Sequence, residues 1–321
     1  MRLLITGATG FVGNAVLARG RSDPAGLVRA ATRRRGSDFP NNVESVLVGD
    51  LAPETDWRSA VTGIDAIVHA AARVHVMRDG TADPLNEFRR VNVAGTLNLA
   101  RQAVAAGVHR FVFISSIKVN GEETPPNQPY TADDIPAPVD FYGISKHEAE
   151  LGLIQLAERT GLEVVVIRPP LVYGPGVKGN FLALMRWLHR GIPLPFGAIQ
   201  NQRSLMARDN LVDLIMTCLR HPAAANQVFL ASDGDDMSTP ALLRRVAAAL
   251  DSPIHLIPVP ASILRAGACV LGKADWAQRL CCSLQADIGK TKKLLGWAPP
   301  VRVDDGLRQT ARYFLENLNR R

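Results

Sequence analysis

The chain has 321 residues, 47% of them hydrophobic and 21% charged, which is enough to bury a full core in one large domain or two closely joined ones and excludes a chain dominated by disorder. The net charge is +7, yet Lys and Arg are scattered apart from Arg33-Arg34-Arg35, the stretch from Lys290 to Lys293 and the C-terminus. With 6% aromatics and no nucleic-acid motif, that distribution favours a small phosphorylated ligand and excludes DNA or RNA as the expected partner.

The first element is read from "RLLITGATGFVGNAVLARG" (2–20). The apolar run "LLIT" predicts a strand, and the apolar periodicity after residue 10 predicts a helix. Between them stand Gly7, Gly10 and Gly13, three residues apart. Glycines there let the backbone turn tightly and approach a pyrophosphate lying against the positive end of the helix dipole. A simple tight turn has the same composition, but the strand–turn–helix context points to dinucleotide binding.

Further strands are expected at "LVRAAT" (27–32), "VESVLVGD" (43–50), "DAIVHAA" (65–71), "RFVFIS" (110–115) and "LEVVVIR" (162–168), separated by helical patterns at 84–107 and 142–161. Near-continuous apolar strands alternating with amphipathic helices predict the α/β class, with a Rossmann-type doubly wound parallel sheet. Ligands of such a sheet bind at the carboxyl ends of the strands, where the strand order reverses. Residues 1–168 are therefore expected to form the dinucleotide-binding domain. After Arg168 come the Pro- and Gly-rich stretches "RPPLVYGPGVKGN", "HRGIPLPFGAIQNQ" and "LLGWAPPVRV", with helices at 210–221 and 239–251. Residues 169–321 are expected to form a smaller C-terminal substrate-binding lobe, with some segments returning to the first domain.

Cys218, Cys269, Cys281 and Cys282 form no C-x-x-C pair, so neither a zinc site nor a disulfide framework is implied, and no metal is expected. A reduced, cytoplasmic setting fits this usage. The start carries no signal-peptide pattern, and no run reaches the length of a membrane span. The stretch 260–272 reads as a buried or interfacial helix.

Tyr142 and Lys146, in "YGISK", are four residues apart and leave the same face of a helix. A free phenol with a pKa of about 10 is a poor base at neutral pH; a neighbouring ammonium favours the phenolate and eases proton transfer.

The G-x-x-G-x-x-G spacing of Gly7, Gly10 and Gly13, together with "YGISK", resembles the extended short-chain dehydrogenase/reductases, and the resemblance runs over nearly the whole chain. It implies a cofactor cradle at Gly7, Gly10, Phe11, Val12 and Gly13. It places Asp50 and Leu51 of "GDL" by the adenine, Ala70, Ala71 and Ala72 of "HAAA" under the cofactor, and Asn92 of "VNVAGT" as an organiser of the site. Ser116 of "SSIKVNG" and Tyr142 are then the catalytic side chains with Lys146, which also grips the nicotinamide ribose. A serine there hydrogen-bonds the reacting oxygen as charge develops on it.

The second half is similar to the UDP-sugar 4-epimerases and related reductases. "RPPLVYGPG" (168–176) carries Pro169 beside the cofactor. Asn180 of "GNF" and Arg203 of "NQRSLMARDNLVDLI" match groups that hold the nucleotide diphosphate, a task for which a guanidinium fork is suited. "LGWAPP" (295–300) is a frequent end signature. An arginine expected in an R-P-G-D-like stretch is replaced by "WAQRLCCSLQADIGK", where Arg279 is the candidate. "SSIKVNGE" and "AARVHVM" resemble a subgroup of 4-keto-sugar reductases, which makes His75 and Lys118 candidate substrate contacts; packing of His75 and solvation of Lys118 are the alternatives.

Strand two ends "RAATRRRG", without the acidic residue that commonly holds the ribose of NAD. Arg33 or Arg34 would suit a 2′-phosphate, so the cofactor is read as NAD(P) with NADP(H) favoured. The expected reaction is 4-keto reduction of a UDP-linked hexose or N-acetylhexosamine. The alternatives are a UDP-sugar 4-epimerase using the same residues, a reductase of non-nucleotide substrates, and a non-enzymatic dinucleotide-binding protein. A homodimer through the helices at 84–107 and 142–161 is implied by resemblance.

Overall fold

The structure is a computed structural model describing residues 1–22, 26–34, 39–74, 83–125, 127–270, 272, 278 and 280–318. Strands β1 (Arg2–Thr6), β2 (Leu27–Thr32), β3 (Val43–Leu47), β4 (Ala66–His69), β5 (Arg110–Ile114) and β6 (Glu163–Arg168) follow the expected order along the chain. Two short strands, β7 (Leu171–Tyr173) and β8 (Leu205–Ala207), pair with each other, and β9 (Gln227–Leu230) returns to the main sheet. The seven-stranded sheet runs β3-β2-β1-β4-β5-β6-β9, every pairing parallel. The order reverses between β1 and β4, so the glycine turn after β1 and the segment after β4 leave the sheet side by side.

Side chains alternate between the two faces, as the strand period of two requires. Leu3, Ile5, Val28, Val68, Val112 and Val165 pack against α1 (Phe11–Gly20) and α7 (Arg208–Arg220) through Val16, Leu17, Leu211 and Ile215. Leu4, Ile67, Phe111, Phe113, Val164 and Val166 pack on the other face against Leu99, Ala103, Ala149 and Leu153. Those last four belong to α4 (Thr96–Ala105) and α5 (Phe141–Thr160). A third core joins Tyr173 and Phe181 to α6 (Gly179–His189), α8 (Thr239–Ala249) and the helix Val303–Leu318.

The pattern at 84–107 is not one helix. It divides into Pro84–Phe88, a π-helical segment Arg89–Gly95, and α4. The wide turn coincides with Asn92, whose side chain bonds backbone and side-chain groups outside its own helix, described below. Helix α5 begins where Asp140 accepts a bond from Gly143 N at 2.7 Å and ends at Gly161 with φ 73°. Residues Ala261–Val270 are helical, but only Ala268 among them is buried, and Ile263 and Val270 are exposed. Among the described residues no helix is long and apolar enough to cross a membrane, and no group of three or more His, Cys, Asp or Glu side chains is placed to hold a metal ion.

Candidate active site

The glycine turn is closed by Gly10 N donating to Gly7 O at 2.8 Å. Gly7 has φ +67°, and a Cβ there would stand 2.8 Å from Ala71 N. On Gly13 a Cβ would stand 2.7 Å from the carbonyl carbon of Gly7. Side chains would thus fill the space between β1, the segment after β4 and the first turn of α1. Gly10, the N-cap of α1, provides no side-chain cap, and no acidic residue stands in the first turn. The N–H groups of the first turn, which a helix leaves without intrahelical acceptors, suit the diphosphate of a dinucleotide, so the residues present fit that group. Phe11 lies under the Arg208 guanidinium at 5.6 Å, and Val12 packs on the first core.

Tyr142 and Lys146 lie on one face of α5. Lys146 is 2% exposed, its Nζ 4.0 Å from the centre of the Phe113 ring and 6.0 Å from that of Tyr142. Burial lowers the Lys146 pKa to about 7, against the opposing charge of Glu150. Tyr142 stacks edge-on against Phe88, and burial with the nearby Asp140 carboxylate raises its phenol above the ordinary range. Ser116 caps a 3-10 turn (Ile117–Val119) by accepting from Lys118 N at 3.3 Å. That turn adjoins the start of α5, because a Cβ on Gly143 would lie 2.8 Å from Lys118 O. Ile117 N donates to the carbonyl of buried Pro169 at 3.0 Å, joining the ends of β5 and β6 beside Ser116.

Asn92 is 1% exposed and uses its whole amide. Its oxygen accepts Arg73 N at 2.7 Å, while Nδ2 donates to Arg73 O and to Ser145 Oγ, both at 3.0 Å. The half-buried Ala70, Ala71 and Ala72 are thereby held between the glycine turn and α5. At the other end, Leu51 is buried against Gly95, and exposed Asp50 faces exposed Arg33 at 3.9 Å; Arg34 is also exposed.

The substrate candidates are less gathered. The Lys118 ammonium pairs with Asp140, the N-cap of α5, and with Glu122 at 3.2 Å. Asn180 is exposed in the first turn of α6. Arg203 lies between Met237 and Leu284 in isolated β-bridges, one terminal nitrogen donating to Cys282 O at 3.0 Å. His75 and Arg279 lie outside the described residues.

Two features behind the site escaped the reading of the sequence. His69 is wholly buried between Thr6 Oγ1 at 2.7 Å and Thr96 Oγ1 at 2.9 Å. Burial, and secondarily Lys146, push its pKa down to about 3. The other is an ion pair of Glu150 with Arg168, both buried, Nη2 to Oε2 at 2.6 Å. A histidine inside the apolar run "DAIVHAA" and an arginine closing "LEVVVIR" were the available signals.

With this geometry in place, comparison with known proteins is decisive for the family. Residues 3–231 match the NAD dependent epimerase/dehydratase family. The chain belongs to that family. Within it, the chain is 49% identical over 321 residues to a Vibrio cholerae protein named UDP-glucose 4-epimerase, covering 99% of this chain and 97% of the relative. It is 27% identical to an Escherichia coli O157:H7 protein named N-acetyl-alpha-D-glucosaminyl-diphospho-ditrans,octacis-undecaprenol 4-epimerase, over 97% of this chain and 94% of that one. The fold is shared with a Thermotoga maritima UDP-glucose 4-epimerase solved with UDP-glucose, at TM-score 0.78 and 21% identity, covering 99% and 100% of the two chains. It is shared too with a Bacillus cereus UDP-glucuronic acid 4-epimerase solved with NAD, at TM-score 0.77 and 20% identity over 99% of each chain. As a member of the family the chain is an NAD-dependent enzyme. The relative at 49% identity carries an epimerase name, which favours the epimerase alternative over the net 4-keto reduction expected from sequence.

Proposed function

We propose that the enzyme interconverts UDP-glucose and its C4 epimer. The observation that carries this reading is the 49% identity, across nearly the full length of both chains, to the relative named UDP-glucose 4-epimerase. The Tyr142–Lys146 pair on one face of α5, with Ser116 capping the turn that adjoins the start of that helix, supports it chemically.

When bound, the dinucleotide supplies reversible hydride acceptance at the sugar C4. Gly7, Gly10, Phe11, Val12 and Gly13 hold its diphosphate, Asp50 and Leu51 its adenine end, Ala70 to Ala72 and Pro169 its flank, and Lys146 its nicotinamide ribose. Tyr142 takes the proton from the C4 hydroxyl oxygen and returns it to the same oxygen later. Burial and Asp140 hold the Tyr142 phenol above its ordinary range, so only the protonated form of Lys146, whose own pKa burial lowers to about 7, favours the phenolate during that exchange, and Ser116 donates a hydrogen bond to the oxygen as charge develops. Asn180 and Arg203 hold the diphosphate of the substrate while the sugar turns its other face. His75, Lys118 and Arg279 are the remaining candidate contacts. We take NAD as the cofactor, because the matching family is NAD dependent and a neighbour of the same fold was solved with NAD.

The test is incubation of the enzyme with NAD and UDP-glucose, followed by proton NMR of the sugar. The C4 epimer is expected, with no net change at the reduced-nicotinamide absorbance band. Absence of epimer, together with stoichiometric oxidation of NADH or NADPH by a UDP-4-keto sugar, would replace the epimerase with a reductase.

A further inference from the structure

The helix face that carries Tyr142 and Lys146 has a third polar residue one turn further on. Glu150 is 1% exposed. Its carboxylate accepts the Ser115 hydroxyl and both sides of the Arg168 guanidinium, Nη2 at 2.6 Å and Nε at 3.1 and 3.2 Å. Arg168 Nη1 donates to Asn120 Oδ1 at 3.1 Å, and Asn120 Nδ2 donates to Thr131 O at 3.0 Å. Ser115, Asn120, Glu150 and Arg168 are each 4% exposed or less.

The connections fall at chemically important places. Ser115 precedes Ser116 at the end of β5, and Arg168 precedes Pro169 as the last residue of β6. Glu150 therefore joins both strand ends to α5. A buried ion pair adds little net stability over apolar groups of similar volume, because desolvation offsets its attraction. What it adds is a fixed geometry, with each partner satisfied by the others. Its charge also opposes the effect of burial on Lys146, the neighbour one turn away.

We propose that Glu150 is a positioning residue whose carboxylate sets the ends of β5 and β6, and with them Ser116, in register with the face of α5 that carries Tyr142 and Lys146. This rests on those three side chains being the catalytic group. Glu150 acts through them and not on the substrate.

Glu150→Gln keeps the side-chain size, removes the charge and turns a donor toward Arg168. With UDP-glucose and NAD as probes, kcat is expected to fall about 10- to 100-fold while KM changes by less than about threefold. Amide hydrogen exchange reads the same registration without catalysis. Ser115 N–H, bonded to Ile167 O at 2.8 Å, and Ile117 N–H, bonded to Pro169 O at 3.0 Å, lose protection by about tenfold or more, while the β1 and β4 amides hold. The double variant Glu150→Gln/Arg168→Met removes the stranded charge and recovers Tm, but kcat stays low. A purely structural role predicts that kcat returns with Tm, and that result overturns the proposal. So does Glu150→Gln with parental kcat and parental exchange. Full epimerase activity in Tyr142→Phe would instead remove the catalytic reading, and the exchange rates alone would then decide whether Glu150 sets the strand ends.

Discussion

Asn92 donates to Ser145 at 3.0 Å, and Ser145 lies between Tyr142 and Lys146 on α5. The same amide clasps both backbone groups of Arg73, so one side chain joins the π-helical segment, the chain after β4 and the helix of the tyrosine–lysine pair. Asn92→Ala leaves Arg73 N–H and Ser145 short of a partner. Stability should fall by about 1–3 kcal/mol in denaturant titration. Activity should fall further than that loss accounts for at temperatures where the variant is folded; unchanged kcat in a folded variant would reduce Asn92 to a stability role.

Gly13→Ala introduces a methyl that meets the carbonyl of Gly7. The backbone of the turn must shift, and it is the part that receives the dinucleotide. NAD affinity measured by calorimetry should drop by about tenfold or more, with the far-ultraviolet spectrum retained. Parental NAD affinity would show that the turn has room the geometry does not reveal.

Tyr142→Phe removes the proton-transferring oxygen and keeps the ring against Phe88. Epimerisation should slow by about 10²- to 10⁴-fold while NAD binding persists. A variant that turns over at the parental rate would place the acid–base group elsewhere.

His69 makes stability depend on pH. In the folded chain burial keeps the imidazole neutral down to about pH 3, whereas unfolded it protonates near its ordinary value of 6.5. Between those limits the unfolded chain binds the extra proton, so this contribution is complete above about pH 6.5 and declines as pH falls toward 3, at up to about 1.4 kcal/mol per pH unit. Melting temperatures taken across that window should fall less steeply for His69→Gln than for the parent. Parallel curves would mean that His69 is not the group responsible.

Arg203→Ala should weaken UDP binding by about 1.5–3 kcal/mol, the value of a hydrogen bond to a charged group. Equal UDP affinity in calorimetric titration of variant and parent would confine Arg203 to its bridge with Met237, Leu284 and Cys282.

The parts of this molecule legible from sequence are those in which neighbours along the chain settle the structure. β1, β2, β5 and β6 are apolar runs buried on both faces, and α5 has a cap at Asp140 and a left-handed glycine at its end. β3 ends at Leu47, short of the expected 50, because Gly49 with φ +80° turns the chain away. β9 has four residues and acquires its identity from pairing with β6, a partner 62 residues earlier at Val165 and Gln227. The π segment has the same origin, since the clasp on Arg73 belongs to tertiary structure. The residues at the site came from spacing and resemblance, and their supports did not. Glu150 looks like an ordinary helix-surface acid until Ser115 and Arg168 are folded over it.

The position of β9 bears on how the chain can be divided. Cutting after Arg168 would remove the strand bonded to β6 and the helix that supplies Leu211 and Ile215 over one face of the sheet. The remaining fragment would display an unpaired parallel edge next to bare Val165 and Ile167, a surface that recruits other chains. A soluble nucleotide-binding fragment is therefore not to be had by truncation at that boundary: the later half of the polypeptide completes the sheet on which the first half depends.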